Sequence, residues 1–224
     1  VGMEPTIQTF RYELQRLETA TLTWEEVLVK DANATPEILF VDDGRATDVF
    51  SYSYRVLIYN SCGLIVDTTN VASTILLDGQ TSQERLVNTL AWTPYGDWFE
   101  GVDHYEIYRK QKDGEYEFLQ EVNGAASLFY EDDVSELVET DGDFYYRIHA
   151  IERSVDGNEP SISISNELNL PVDAIIWIPN AIVIGGYNDV FKPMVSFALV
   201  EEYYLAIFSR WGDYVFETNK LSEK

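Results

Sequence analysis

Three strand-like segments recur in one order along the chain, and the spacing between the copies limits what such a chain can fold into. Tyr12-Glu13-Leu14-Gln15-Arg16 matches Tyr105-Glu106-Ile107-Tyr108-Arg109 at an offset of 93 residues. Phe40-Val41-Asp42-Asp43 matches Tyr130-Glu131-Asp132-Asp133 at 90, and Tyr52-Ser53-Tyr54-Arg55-Val56 matches Phe144-Tyr145-Tyr146-Arg147-Ile148 at 92. A repeat sets the architecture before any single element does, and this one is close to the ~100 residues of an Ig-like sandwich.

Within the repeat, residues 105–109 and 144–151 alternate faces as half-buried strands do. Between them lie the apolar stretches 116–122 and 128–130, separated by Gly124, and Asp113-Gly114 marks a tight turn after the first strand. Val87 to Trp92 is a further short apolar run ended by Pro94, and residues 162–170 close the set before Pro171. Six or seven short strands with closely spaced turn residues describe a sandwich, and no helical period of useful length interrupts them.

Composition agrees with a folded β protein. Hydrophobic residues make up 46% and aromatics 14% of 224 residues, so the formal net charge of -24 does not imply disorder. That charge repels phosphate backbones and anionic lipid, which argues against nucleic acid and membrane surfaces as partners. It lies at the front: Ile175 to Lys224 carries 6 acids and 4 bases, and the remainder sits on residues 1–174. The single cysteine, Cys62, leaves stability to packing in any compartment. There is no 18-residue apolar run and no signal-peptide pattern, so an exported protein is expected to have its signal removed or upstream of these residues.

The Tyr-x-Ile/Leu-x-Arg segment, the Tyr-Arg-Val/Ile segment and Leu90-Ala91-Trp92 resemble strands C, F and B of fibronectin type III domains, with Ser165-Asn166 similar to the start of strand G. The resemblance covers residues 84–171 as a whole unit. On the same mapping residues 6–78 begin at strand C and lack strands A and B, which leaves an apolar face and a strand edge open. A longer parent protein, or another segment supplying those strands, is the expectation.

From Ile175 the texture changes. The Ile178-Pro179-Asn180-Ala181 strand, the Asn188-Asp189-Val190-Phe191-Lys192-Pro193 segment and the hairpin Ile207-Phe208-Ser209-Arg210-Trp211-Gly212-Asp213-Tyr214-Val215-Phe216-Glu217-Thr218 are, in that order, similar to the gliding-motility-associated C-terminal domain of Bacteroidota. In that family the domain is a type IX secretion sorting signal at the ends of cell-surface and adhesin-like proteins. The resemblance implies sorting-motif residues at Ile178, Pro179, Asn180, Asn188, Asp189, Phe191, Arg210, Trp211 and Gly212. It also implies the type IX translocon and its outer-membrane carrier proteins as partners, and an extracellular or outer-surface location. Two departures stand out: the segment 182–187 is shorter and more apolar than the family's Gly/Asp-rich loop, and the chain reaches Lys224 before the family's Trp-Asp-Gly element and terminal strands. Trp211 is read as a core residue capping its hairpin rather than a stacking platform. Arg210 is read either as a cross-hairpin partner or as a carrier-protein contact.

A search for chemistry finds no Gly-x-Ser-x-Gly, His-Glu-x-x-His, P-loop or dinucleotide fingerprint. His104, His149 and Cys62 are the whole supply of imidazole and thiol, and each is read as a packing, surface or turn residue. Asp42-Asp43, Glu131-Asp132-Asp133 and Asp141-Gly142-Asp143 offer oxygen ligands for calcium, but their recurrence at equivalent positions reads as turn-capping aspartate. Among the aromatics clustered around Pro94 and Gly96, Trp92 is expected in the core. That leaves Trp98 and Phe99 as ligand-contact candidates that serve equally to cover an interdomain seam.

The expected fold class is all-β: tandem fibronectin type III/Ig-like β-sandwiches, incomplete over residues 1–80 and whole over 81–171, followed by a partial β-sandwich sorting domain over 172–224. The expected function is non-enzymatic, the C-terminal region of a secreted cell-surface or adhesin-like protein with sandwich spacers and a sorting domain, and no cofactor. The alternative is an accessory binding module of a secreted polysaccharide-degrading enzyme, with surface polysaccharide as ligand.

Overall fold

The computed structural model describes residues 9–32, 39–96, 98–123, 128–154, 157, 159–181, 183, 185–186 and 190–220. Five strands form the first sheet: β1 (Thr9–Glu18), β2 (Thr23–Asp31), β3 (Ser53–Asn60), β4 (Ile65–Thr68) and β5 (Ala72–Ser73). The order is β2-β1-β3-β4, all antiparallel, with β5 also pairing β3. The period of two places Tyr12, Leu14 and Arg16 of β1 on one face with Tyr54, Val56 and Ile58 of β3, and Glu13 and Gln15 on the other with Leu57 and Tyr59.

The second unit repeats this sheet and adds another. Its strands are β6 (Leu77–Ser82), β7 (Val87–Trp92), β8 (Val102–Gln111), β9 (Glu117–Asn123), β10 (Phe129–Asp133), β11 (Asp143–Glu152), β12 (Ile162–Ile164) and β13 (Leu168–Pro171). One sheet runs β9-β8-β11-β12 with β13 also pairing β11, strand for strand the pattern of the first unit. The other, β10-β7-β6, lies across it, and the two inner faces share one core. This is the layering of an all-β sandwich that the resemblance implies. The sheet starts at Leu77, so it includes residues assigned to the preceding unit on sequence, and the run 162–170 is two strands broken at Ser165-Asn166. There Asn166 bonds both backbone groups of Leu77 in the facing layer, at 2.7 and 2.9 Å.

Leu77, Leu90 and Trp92 of the three-stranded layer meet Tyr105, Ile107, Phe144, Tyr146, Ile148 and Ala150 of the other, all buried. Each buried side chain of this size contributes about 1.5–3 kcal/mol. One polar network runs through this core. The Asp132 carboxylate in β10 accepts two bonds from the Arg109 guanidinium in β8, at 2.8 and 3.0 Å, and one from the Tyr146 hydroxyl in β11 at 2.8 Å. Asn88 in β7 donates its amide to the same hydroxyl at 2.8 Å. Four strands of two sheets are thereby fixed in mutual register.

The first unit carries the same triad. Arg16 and Tyr54 both donate to Asp42, the tyrosine at 3.0 Å, and Arg45 adds a third bond at 3.2 Å. Burial opposes ionisation of Asp42, but these donors outweigh it and hold the carboxyl below its ordinary range. Burial, with the neighbouring carboxylate, pushes the Tyr54 phenol up to about 12, so it remains a donor. Turn capping therefore belongs only to the second aspartate of the repeated pair in the second unit, where Asp133 accepts the Ser135 amide at 2.9 Å. The first aspartate of each pair points inward. The sequence reading gave both one role because an inward strand residue and a turn residue sit side by side.

The terminal segment has β14 (Ile175–Trp177) paired with β15 (Met194–Ser196), and β16 (Leu205–Phe208) paired with β17 (Tyr214–Thr218). Phe197 joins it to the sandwich. Its ring is 1% exposed within the core of the second unit, and its amide donates to the Val138 carbonyl at 2.9 Å. Phe197 holds φ at +55°, a conformation costly for a bulky residue that surrounding packing must over-determine. It fits beside Gly142, at φ +82°, where a Cβ would stand 2.5 Å from the Val172 carbonyl.

Asp132→Ala leaves the half-buried Arg109 guanidinium and the buried Tyr146 hydroxyl without their acceptor and is expected to destabilise the second unit by about 3 kcal/mol. Asp42→Ala is expected to cost less, because Arg16 keeps Glu25 at 3.7 Å. Denaturant melts followed by amide exchange on β11 and on β3 separate the two effects.

Candidate functional site

The implied sorting residues fall on three places in the terminal segment. Ile178, Pro179 and Asn180 follow β14, with Pro179 buried and Ile178 and Asn180 exposed. Phe191 is half-buried shortly before β15, while Asn188 and Asp189 lie outside the described residues. Arg210, Trp211 and Gly212 form the turn between β16 and β17.

That turn is built by backbone and hydroxyl groups. Ser209 and Asp213 bond across it at 2.8 Å, and Gly212 donates to the Ser209 carbonyl at 3.0 Å. The Ser209 hydroxyl accepts the amides of Trp211 and Asp213, both at 3.2 Å. Gly212 has φ +90°, where a side chain is strained. The indole of Trp211 does not cap a core: it is 79% exposed, with the Arg210 guanidinium 5.0 Å from its ring centre. The pair that holds the hairpin is Phe208 and Tyr214, centroids 4.5 Å apart across the first register position. Sequence reasoning assigned the packing role to the larger ring because only the register distinguishes a strand residue from a turn residue. Arg210 neither crosses the hairpin nor pairs with an acid in it; it lies on its neighbour.

The two two-stranded ribbons bury little of their apolar surface. Ile175, Ile176, Trp177 and Ile178 are exposed around β14, and Tyr204, Phe208, Tyr214 and Val215 along the hairpin. Among the described residues, exposed large apolar side chains are most frequent in the terminal segment, beside the Arg210 and Trp211 tip.

A second exposed aromatic site caps the sandwich. Trp98 packs on Tyr95 at 4.3 Å and against the core, so it is only partly available. Phe99 is 99% exposed at the head of a turn closed by Gly101 donating to the Trp98 carbonyl at 2.9 Å. The two candidates thus separate into a wedge and a free ring. Trp92 lies in the core.

A cleft of about 430 Å³ runs between the β8–β9 turn and residues 139–141, with Leu199 of the terminal segment on its rim. Its lining sets Arg109, Lys110 and Lys112 against Asp113, Glu115, Glu117, Glu139 and Asp141, a mixed but net acidic charge lattice without a nucleophile–base pair. Among the described residues no three His, Cys, Asp or Glu side chains converge as metal ligands. Cys62 is exposed in its turn.

Neither a family model nor a curated protein matches the chain. Among solved structures, the chicken CNTN1 FN1-FN3 domains are similar at 14% sequence identity and a TM-score of 0.31, over 99% of this chain and 79% of that one.

The two imidazoles are set apart by their surroundings. Burial alone lowers His104, but the hydrogen bond its ring donates to Asp103, at 2.9 Å, and the carboxylates of Glu121 and Glu106 raise it above its ordinary value of 6.5. Burial under Tyr108, 4.4 Å between ring centres, dominates at His149 and lowers it. The stabilising contribution of His104 is present below pH 6.5 and lost as pH rises through its folded value. That of His149 is present above pH 6.5 and lost as pH falls through its folded value. Proton NMR titration is expected to show His149 titrating at lower pH than His104, and His104→Gln to reverse nothing in the His149 curve.

Proposed function

We propose that the chain is the C-terminal region of a secreted, cell-surface or adhesin-like protein of the gliding-motility-associated kind. In this reading the acidic sandwiches are soluble spacers, and the terminal segment is a sorting domain read by the type IX secretion translocon and its outer-membrane carriers. The observation that carries it is the ordered set of three motifs around Ile178-Pro179-Asn180, Asn188-Asp189-Val190-Phe191 and Arg210-Trp211-Gly212. The turn geometry is compatible with recognition from outside: Trp211 and Arg210 project together from a hairpin whose own stability rests on Phe208 and Tyr214. No enzymatic step is assigned to these residues.

A reporter fused to the terminal domain of the parent protein is expected outside a type IX-competent cell, and its retention in the periplasm overturns the reading. Trp211→Ala is expected to lower export without unfolding the hairpin, because the exposed indole contributes little to packing. Gly212→Val is expected to lower it through strain at φ +90°, which costs of order 1–3 kcal/mol.

Phe99 favours a second reading, an accessory polysaccharide-binding module beside an upstream catalytic domain, since a fully exposed ring on a braced turn suits sugar stacking. Under that reading Phe99→Ala lowers retention on insoluble polysaccharide in a pull-down while leaving the thermal midpoint unchanged.

A further inference from the structure

The two imidazoles of the chain stand on one face of one sheet, around a single carboxylate. In the antiparallel register Glu106 of β8 is opposite His149 of β11 on one side and Glu121 of β9 on the other, and His104 lies two residues before Glu106 on the same strand. The period of two sends all four side chains to the outer face of the larger sheet of the second unit. Directly opposed residues there have Cβ atoms about 4.5–5.5 Å apart.

His104 and Glu106 are already set as a pair. The His104 Nδ1 donates to one Asp103 oxygen at 2.9 Å, and the Arg153 Nε lies 3.6 Å from the other. That bond orients the ring and leaves the lone pair of the neutral imidazole on Nε2. Nε2 is 3.7 Å from Glu106 Oε1, while Glu106 Oε2 accepts the Tyr108 hydroxyl at 2.8 Å. A lone pair facing an anionic oxygen is repulsive, and it is relieved by a proton on Nε2 or by a cation between the two atoms. The raised pKa of His104 is the proton's side of that competition.

The separation suits a metal ion. Nitrogen and oxygen ligands about 2.0–2.2 Å from one zinc ion stand roughly 3.4 Å apart at the tetrahedral angle and about 3.7 Å apart at roughly 125°. An imidazole whose second nitrogen donates to a carboxylate, beside an acid held by a hydroxyl, is also how metal ligands are oriented from behind. As the side chains stand, no third acid or imidazole converges on the pair. Glu121 supplies one by rotation about its own side-chain bonds. It is exposed, its carboxylate has no hydrogen-bond or ion-pair partner among the described residues, and its charge acts on the His104 ring. His149 is the other neighbour of Glu106, but its ring is half-buried on Tyr108.

We propose that His104 Nε2, Glu106 and Glu121 bind a divalent transition-metal ion of the zinc class, with water completing its shell and Asp103 and Tyr108 positioning the first two ligands. Imidazole with carboxylate favours zinc-like ions over calcium, which takes six to eight oxygens. Because β9 pairs only β8, an ion held between these strands staples the sheet edge to its neighbour. The inference stands on the second unit alone and not on the sorting role.

The test titrates zinc chloride, in mildly alkaline buffer, into the full chain carrying Cys62→Ser, which removes its one thiol. Ring-proton NMR is expected to show a saturable one-to-one shift at His104 and a smaller one at His149, and amide exchange in β9 is expected to slow, both reversed by a chelator. In calorimetry His104→Gln and Glu121→Gln are expected to weaken zinc binding about tenfold or more, Asp103→Asn about tenfold to a hundredfold, and His149→Gln less than about twofold. The β8 and β11 amides of each variant are expected to keep their protection without zinc. His104 signals that stay fixed up to millimolar zinc, binding that survives Glu121→Gln unchanged, or binding lost on His149→Gln each overturn the assignment. So does calcium bound as tightly as zinc, which makes the patch a cluster of acids and not an imidazole site.

Discussion

A carboxylate shared between an arginine and a tyrosine holds each repeat together. In the second unit Asp132 sits where two sheets meet, and its three bonds together with the Asn88 amide connect β7, β8, β10 and β11. A buried ion pair adds little net stability over apolar residues of the same volume, but removing one partner strands a charge. Its value here is positional. A one-residue slip of β8 or β11 turns Arg109 or Tyr146 to the outer face and takes that donor from Asp132, so the network adds to the penalty that apolar packing already places on wrong registers. The first unit shows the network operating with less support: Arg16 and Tyr54 keep Asp42 at its station although, among the described residues, no second sheet lies beyond it.

Around that constraint the chain grades from fully layered to ribbon-like. The second unit has two sheets and a common core. The first has one sheet whose outer face is sealed by arginines lying on aromatic rings, and the terminal segment has two separate ribbons. Accessible apolar surface rises in the same order, which is the order in which packing partners for the strands decrease. Among the described residues, exposed apolar side chains are therefore densest where layering is least, along the last fifty or so residues.

Much of the fold was legible because strands advertise themselves by alternation and the repeat supplied two readings of the same pattern. Tyr105-Glu106-Ile107-Tyr108-Arg109 and its copy carry inward and outward residues at fixed parity, and the structure keeps that parity. What was not legible depended on distance in sequence. Arg109 and Asp132 are twenty-three residues apart and nothing local pairs them, so the aspartates read as turn caps. Phe197 carries no local mark of core membership, since its ring enters a cavity made by residues far upstream. Trp211 was misjudged for the opposite reason: size and hydrophobicity suggested burial, but one position of register put it in the turn, and Phe208 and Tyr214 took the packing role.

The Phe197 insertion also has a mechanical consequence. The backbone leaves the sandwich at β13, and Val172 is already tied to the Gly142 carbonyl by a 2.9 Å bond when the terminal segment begins. The ring of Phe197 returns to the same end of the sandwich, next to Gly142. Tension drawn through the terminal segment therefore loads a buried aromatic plug in shear before it can peel β13 from β11. Force on the terminal segment reaches the core of the sandwich through Phe197 as well as through the backbone at Val172.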